Sequence, residues 1–275
     1  MSTVHFVGAG CGAPDLITVR GMRLLQEADV IVYAGSLINP EILSYASSGC
    51  EMYDSAYLHL EQVIEILSKA AEKGKMTVRL HTGDPSIYGA IREQIDRLAE
   101  LGIESDVCPG VSSFQGAAAS MNMEYTLPDV SQTVILTRLE GRTPVPEREK
   151  LRDLAAHGAS MAVFLSASMG ERLQDELLKS GGYGPGDPCA VVYRATWPDE
   201  RKFVTTVGNL AKTLKENDIR KTAIILVGKF LGTEYGLSKL YDRMFSTGFR
   251  KGAGETQEAE KTDGRKTEEG REGTE

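Results

Sequence analysis

Short apolar runs alternate with helical segments along most of the chain, and several of the runs end at a glycine. Residues 4–7 form such a run and close on Gly8. Runs of this length bounded by turn residues read as buried strands. Further strands are expected at 29–33, 51–53, 77–80 and 104–107. Helices are expected at 18–27, 58–73 and 91–101, the last two ended by Gly74 and Gly102. This alternation favours a parallel sheet covered on both faces.

A connection follows near 123–131, with Pro128 and Asp129. A second series then gives strands at 133–137, 161–165, 190–193, 203–206 and 223–227, and helices at 148–157, 171–180 and 209–216. The spacing predicts two α/β domains, 1–125 and 126–240, followed by an extension over 241–275. From about residue 251 the extension has no Val, Ile, Leu, Met or aromatic residue. It cannot bury apolar area against chain entropy, so disorder is expected there.

With 275 residues and 41% hydrophobic content, the chain can bury a core without staples. No apolar run approaches the roughly 18–20 residues of a membrane span, and no signal peptide is seen. The net charge of -8 argues against a nucleic-acid partner, which needs a basic surface. Four scattered cysteines and four histidines show no metal spacing, so no protein-bound metal is expected. Isolated thiols fit a reducing cytoplasm.

Three glycine clusters stand at strand ends, where open α/β sheets place ligands. The first is Gly8-Ala9-Gly10-Cys11-Gly12. It differs from a dinucleotide fingerprint, because the third glycine comes one residue early and Pro14-Asp15 delays the helix. An NAD(P)-dependent oxidoreductase is therefore the weaker alternative, beside a tight structural turn. The second cluster, Thr82-Gly83-Asp84-Pro85-Ser86-Ile87-Tyr88-Gly89, lacks a P-loop ending. Asp84 could face a cation, or cap the following helix. The third is Pro109-Gly110-Val111-Ser112-Ser113, in which either serine could cap a helix.

Together and in this order, the three clusters resemble the tetrapyrrole methylase family, over about residues 2–235. The segment Tyr33-Ala34-Gly35-Ser36-Leu37-Ile38 resembles the members that methylate precorrin-4 or cobalt-precorrin-4 at C11. Cys11 stands where the family usually carries proline. The resemblance implies two α/β domains with a cofactor cleft between them, unlike the Rossmann-type methyltransferases. It implies S-adenosylmethionine as methyl donor, S-adenosylhomocysteine as product, and a homodimer. Position by position, it implies cofactor contacts at Thr82, Gly83, Asp84, Ile87, Tyr88, Ser112, Ser113, Leu165, Ala195, Thr222 and Ala223.

The implied substrate is a tetrapyrrole rich in carboxylates, which arginine holds best. Arg138, Arg142 and Arg194 follow strand ends and are the candidates, with His59 beside them. Asp84 and Tyr33 are the candidate catalytic side chains. No general base is evident. The implied reaction is methylation at C11 in corrin biosynthesis, with another ring position as the alternative.

Overall fold

The computed structural model describes residues 1–253. Its first half contains β1 (Val4–Gly8), α1 (Val19–Glu27), β2 (Val30–Tyr33), β3 (Glu51–Asp54) and α2 (Leu60–Glu72). These are followed by β4 (Thr77–His81), α3 (Ile91–Glu100), β5 (Ser105–Cys108) and α4 (Ser113–Ser120). The five strands pair in the order β3-β2-β4-β1-β5, and every pairing is parallel.

Local chemistry explains the helix limits. Thr18 caps α1 by accepting from Gly21 N at 3.1 Å. The stripe Val63, Ile64, Leu67, Ala70 and Ala71 buries one face of α2 against the sheet, with Leu98 of α3 beside it. Each fully buried leucine there contributes about 1.5–3 kcal/mol. Gly74 takes a φ of +71° just beyond α2, a conformation that costs glycine little. The other face packs on α1 and the segment after β2, through Leu25, Ile31, Ile38 and Ile42.

The second half holds β6 (Val134–Arg138), α5 (Leu151–Ala155), β7 (Ser160–Phe164), α6 (Gly170–Lys179) and β8 (Pro188–Tyr193). It ends with β9 (Arg201–Thr206), α7 (Leu210–Glu216) and β10 (Ala223–Val227). The strand order is β6-β7-β10-β8-β9. This second sheet is mixed. Only β6 and β7 are parallel, while β10 is antiparallel to both β7 and β8, and β9 is antiparallel to β8.

The reason lies in one connection. Residues 194–200 join β8 to β9 without a helix. So short a link cannot make a parallel crossover, and the chain reverses. The next crossover, through α7, then carries β10 back between β7 and β8 in the reversed direction. Helices α5, α6 and α7 cover one face through Leu151, Leu173, Leu177, Leu210 and Leu214. The other face is covered by α4, through Ala117 and Ala118, together with Tyr125 and Phe230. Thus α4 follows the first sheet in sequence and packs on the second.

Two smaller differences have local causes. The helix expected at 148–157 is only α5, preceded by a 3-10 turn at Glu147–Glu149. Pro144 and Pro146 stand before it, and Gly158, at φ +60°, follows it. The expected lack of packing beyond residue 251 falls, from residue 254 on, outside the described residues. No helix of the described residues is long and apolar enough to cross a membrane.

Candidate active site

Parallel pairing puts the C-terminal ends of β4, β1 and β5 side by side, so the three glycine clusters meet. Gly10 N donates to Gly83 O at 3.2 Å, and Gly83 N returns a bond to Gly10 O at 2.8 Å. A Cβ on Gly8 would lie 2.6 Å from Gly110 Cα and 2.7 Å from Gly83 O. No side chain fits at Gly8 or Gly110, and Gly83 between them takes a φ of +62°, which favours glycine.

Asp84 ties the clusters together. Its Oδ2 accepts from Gly110 N at 2.8 Å, and its Oδ1 accepts from Ser86 N at 2.8 Å and from the Ser86 hydroxyl. Burial works to raise its pKa, but these hydrogen bonds outweigh it and hold the carboxyl below its ordinary value. Asp84 does not cap the following helix, because α3 begins only at Ile91, behind a left-handed Ala90. Thr82 Oγ1 donates to Leu37 O at 3.1 Å, which joins the second cluster to the segment after β2. Ile87 N bonds back to Asp84 O at 3.2 Å, and Tyr88 follows with a φ of +56°. Ser112 is the buried N-cap of α4, and its N–H donates to Gln115 Oε1 at 2.9 Å. Ser113 opens the helix.

A second edge comes from the other sheet. Because β10 runs antiparallel, its start lies beside the ends of β7 and β8. Leu165, Arg194–Ala195 and Thr222–Ala223 therefore gather on one edge. Ala223 pairs with Tyr193, and Arg194 N donates to Thr222 O at 2.8 Å. Leu165, Arg194 and Thr222 have φ of +52°, +48° and +55°. Such backbone costs side-chain-bearing residues about 1–3 kcal/mol each and gathers at functional sites. Leu165 is also 66% exposed, unusual for leucine at a strand end.

The two edges touch. Ala13 N donates to Thr196 Oγ1 at 3.0 Å, and Trp197 Nε1 donates to Cys11 O at 3.2 Å. A Cβ on Gly12 would lie 2.6 Å from Ala195 O. Glu200 holds this loop by accepting from Thr196 N at 2.6 Å. The Tyr88 ring lies 5.3 Å from that of Phe164 at the end of β7. Burial raises the Tyr88 phenol pKa, against the nearby positive charge of Arg138. Cys11 is buried between the edges, 3.4 Å from Thr196 Oγ1, and burial pushes its thiol up.

The expected substrate groups are dispersed. Arg138 ends β6 and donates to Thr143 O at 3.2 Å and Pro144 O at 2.7 Å. Arg142 is exposed in the following loop, with no hydrogen bond or ion pair among the described residues. The Arg194 guanidinium stacks 3.9 Å from the Trp197 ring centroid and pairs with Asp199 at 2.9 Å. That contact is an ion pair rather than a hydrogen bond, since Arg194 Nε has no well-aligned acceptor. His59 caps α2 beyond the outermost strand and is paired with Glu61 at 2.8 Å. Tyr33 ends β2, half-buried against the core.

Sequence reasoning missed Thr196, Trp197 and Glu200. The single tryptophan beside Pro198-Asp199 in a helix-free connection was the available signal. It also missed the buried pair on β4. The Arg79 guanidinium bonds Gln94 Oε1 at 3.0 Å and Val32 O at 3.2 Å, and burial lowers its pKa to about 10. His81, stacked 5.9 Å from Phe6, is pushed down to about 3 by burial and then by Arg79. No cluster of three or more metal-ligating side chains occurs among the described residues. The arrangement can hold a small molecule between two main-chain edges and orient it.

Comparison with known proteins agrees with this geometry. The family model for tetrapyrrole (corrin/porphyrin) methylases matches residues 3–211. The chain is 53% identical to a cobalt-precorrin-4 C(11)-methyltransferase of Methanocaldococcus jannaschii, over 90% of this chain and 96% of that protein. It is 45% identical to a precorrin-4 C(11)-methyltransferase of Pseudomonas aeruginosa, over 87% of this chain and 95% of the other. The solved structure of a cobalamin biosynthetic enzyme, cobalt-precorrin-4 methyltransferase, superposes with a TM-score of 0.82. It is 46% identical, covering 84% of this chain and 96% of that one.

Proposed function

The chain belongs to the tetrapyrrole methylase family, and from that premise we propose that it methylates precorrin-4 or cobalt-precorrin-4 at C11, with S-adenosylmethionine as donor. The observation that carries the reading is the contact of the first glycine cluster, at Cys11, Gly12 and Ala13, with residues 195–197, which follow the left-handed Arg194. Similarity to C11-methylating relatives over about nine-tenths of the chain supports the ring position.

The residues present fit the donor. Gly8, Gly83 and Gly110 keep side chains out of the space where the clusters meet. Tyr88 and Leu165 present apolar surface from the two sides. Thr82, Gly83, Asp84, Ile87, Tyr88, Ser112 and Ser113 would hold the donor from the first sheet. Leu165, Ala195, Thr222 and Ala223 would hold it from the second. When bound, the donor supplies a methyl group already activated on a sulfonium. The protein's own part is orientation, which is worth about 7–11 kcal/mol in well-aligned systems.

Asp84 keeps the loops that flank the donor in register. Arg138 and Arg142 stand on the second-sheet side, where they can meet the carboxylates of the macrocycle. The homodimer belongs to the same reading, and sedimentation velocity checks it.

The test is incubation with methyl-labelled donor and either form of the substrate, with the product read by carbon NMR. Label on C11 supports the assignment. Label on another ring carbon contradicts the position while keeping the chemistry.

A further inference from the structure

The segment linking β2 to the 3-10 turn at Pro40–Tyr45, residues 33–39, is held from several directions. Asp54 Oδ1 accepts from Gly35 N at 3.0 Å and from Ala56 N at 2.8 Å. Ser55 Oγ donates to Tyr33 O at 3.0 Å. Thr82 Oγ1 holds Leu37 O, and Asn39 Nδ2 donates to Gly12 O at 3.0 Å. Within the segment, Leu37 N closes a turn on Ala34 O at 3.1 Å. Its tip, Ser36 and Leu37, is exposed beside the glycine junction.

At Gly35 the Asp54 carboxylate lies close against the backbone. A Cβ there would lie 2.5 Å from Asp54 Cγ, so only glycine lets the carboxylate approach. Asp54 is itself fixed, because it ends β3 in register with Tyr33. One anionic oxygen shared by two N–H donors makes a strong, directional hold. The loop tip has no helix or strand of its own to fix it.

We propose that Asp54 is a positioning residue for the tetrapyrrole. Its carboxylate pins Gly35, so that Ser36 and Leu37 stand as a fixed wall beside the glycine junction, on the first-sheet side of the cleft. The macrocycle lies against that wall. The segment meets the glycine clusters only through the Thr82–Leu37 and Asn39–Gly12 bonds, whereas the clusters are tied to one another by Asp84 and by the Gly10–Gly83 bridge, so loss of the pin should act on the tetrapyrrole far more than on the donor. This inference rests on the proposed function of the same site.

The experiment compares wild type with Asp54→Ala, Asp54→Asn and Gly35→Ala. It measures kcat and KM for precorrin-4 and cobalt-precorrin-4, and the Kd of S-adenosylhomocysteine by calorimetry. Asp54→Ala and Gly35→Ala should raise the tetrapyrrole KM tenfold or more, with the Kd held within twofold. Asp54→Asn keeps an oxygen acceptor and should stay within about threefold of wild type in KM. If Asp54→Ala does not fold, Gly35→Ala and Asp54→Asn carry the comparison. An unchanged tetrapyrrole KM in Asp54→Ala or Gly35→Ala overturns the proposal. So does a Kd that rises in step with KM, since that marks general loosening. Wild type that binds S-adenosylhomocysteine but turns over neither tetrapyrrole defeats the functional reading itself, and that failure shows without any variant.

Discussion

At the scale of single residues, charge that is placed but not paired decides most. Arg142 is exposed near the second edge and has no partner among the described residues. If it meets a substrate carboxylate, Arg142→Ala should raise the tetrapyrrole KM about tenfold and leave the donor KM unchanged. Steady-state kinetics with each substrate varied in turn checks this. His81 makes a different prediction. Its folded pKa of about 3 lies below the ordinary histidine value of about 6.5. The stability it allows is therefore complete above pH 6.5 and is lost as pH falls towards 3, because the unfolded chain takes up the proton first. The slope reaches about 1.4 kcal/mol per pH unit. Melting curves between pH 7 and 5 should show this loss in wild type and a flatter profile in His81→Phe. Equal slopes would contradict it. These roles were unequally legible. Arg142 could be named from a strand end, whereas His81 reads as one polar letter in an apolar strand. Its lack of a partner for Nε2 exists only once Phe6 and Arg79 surround it.

At the scale of elements, strand direction and loop approach do the arranging. In the first half, each strand after a helix returns parallel, and the glycine clusters meet because of it. The alternation of apolar run and helical stretch contained that arrangement. In the second half the same alternation left strand direction open, because period and composition do not distinguish a parallel from an antiparallel strand. The helix-free link at 194–200 was the sign of reversal. Its effect reaches the site, since only an antiparallel β10 can bring Thr222 beside Leu165 and Arg194. Loop approach gives the matching prediction. A Cβ on Gly110 would overlap Gly83 O and lie 2.8 Å from Gly8 Cα, whereas one on Gly49 meets nothing within 4 Å. Gly110→Ala should weaken S-adenosylhomocysteine binding at least tenfold, and Gly49→Ala should leave it unchanged. Calorimetry on the two variants reads the difference.

At the scale of the whole molecule, the candidate site lies where two sheets are held edge to edge. The hold is specific, made by Thr196 and Trp197 on the first glycine cluster, with Tyr88 on Phe164. Residues 13 and 196 are too far apart in sequence for any local pattern to pair them, so this contact was not legible beforehand. The domain arrangement was expected only through the family resemblance. Thr196→Val removes the acceptor for Ala13 N and keeps the volume. It should weaken S-adenosylhomocysteine binding about three- to tenfold, leave each sheet folded, and shift the emission of the single tryptophan. Fluorescence titration reads affinity and emission together, and unchanged affinity would show that the contact does not set the cleft.

The most direct test of the central claim is titration calorimetry of the intact chain with S-adenosylhomocysteine, with NADH in a parallel cell. Saturable binding of S-adenosylhomocysteine, one per chain, and no binding of NADH are expected. Saturable binding of NADH with none of S-adenosylhomocysteine would contradict the claim and return the first glycine cluster to a dinucleotide role.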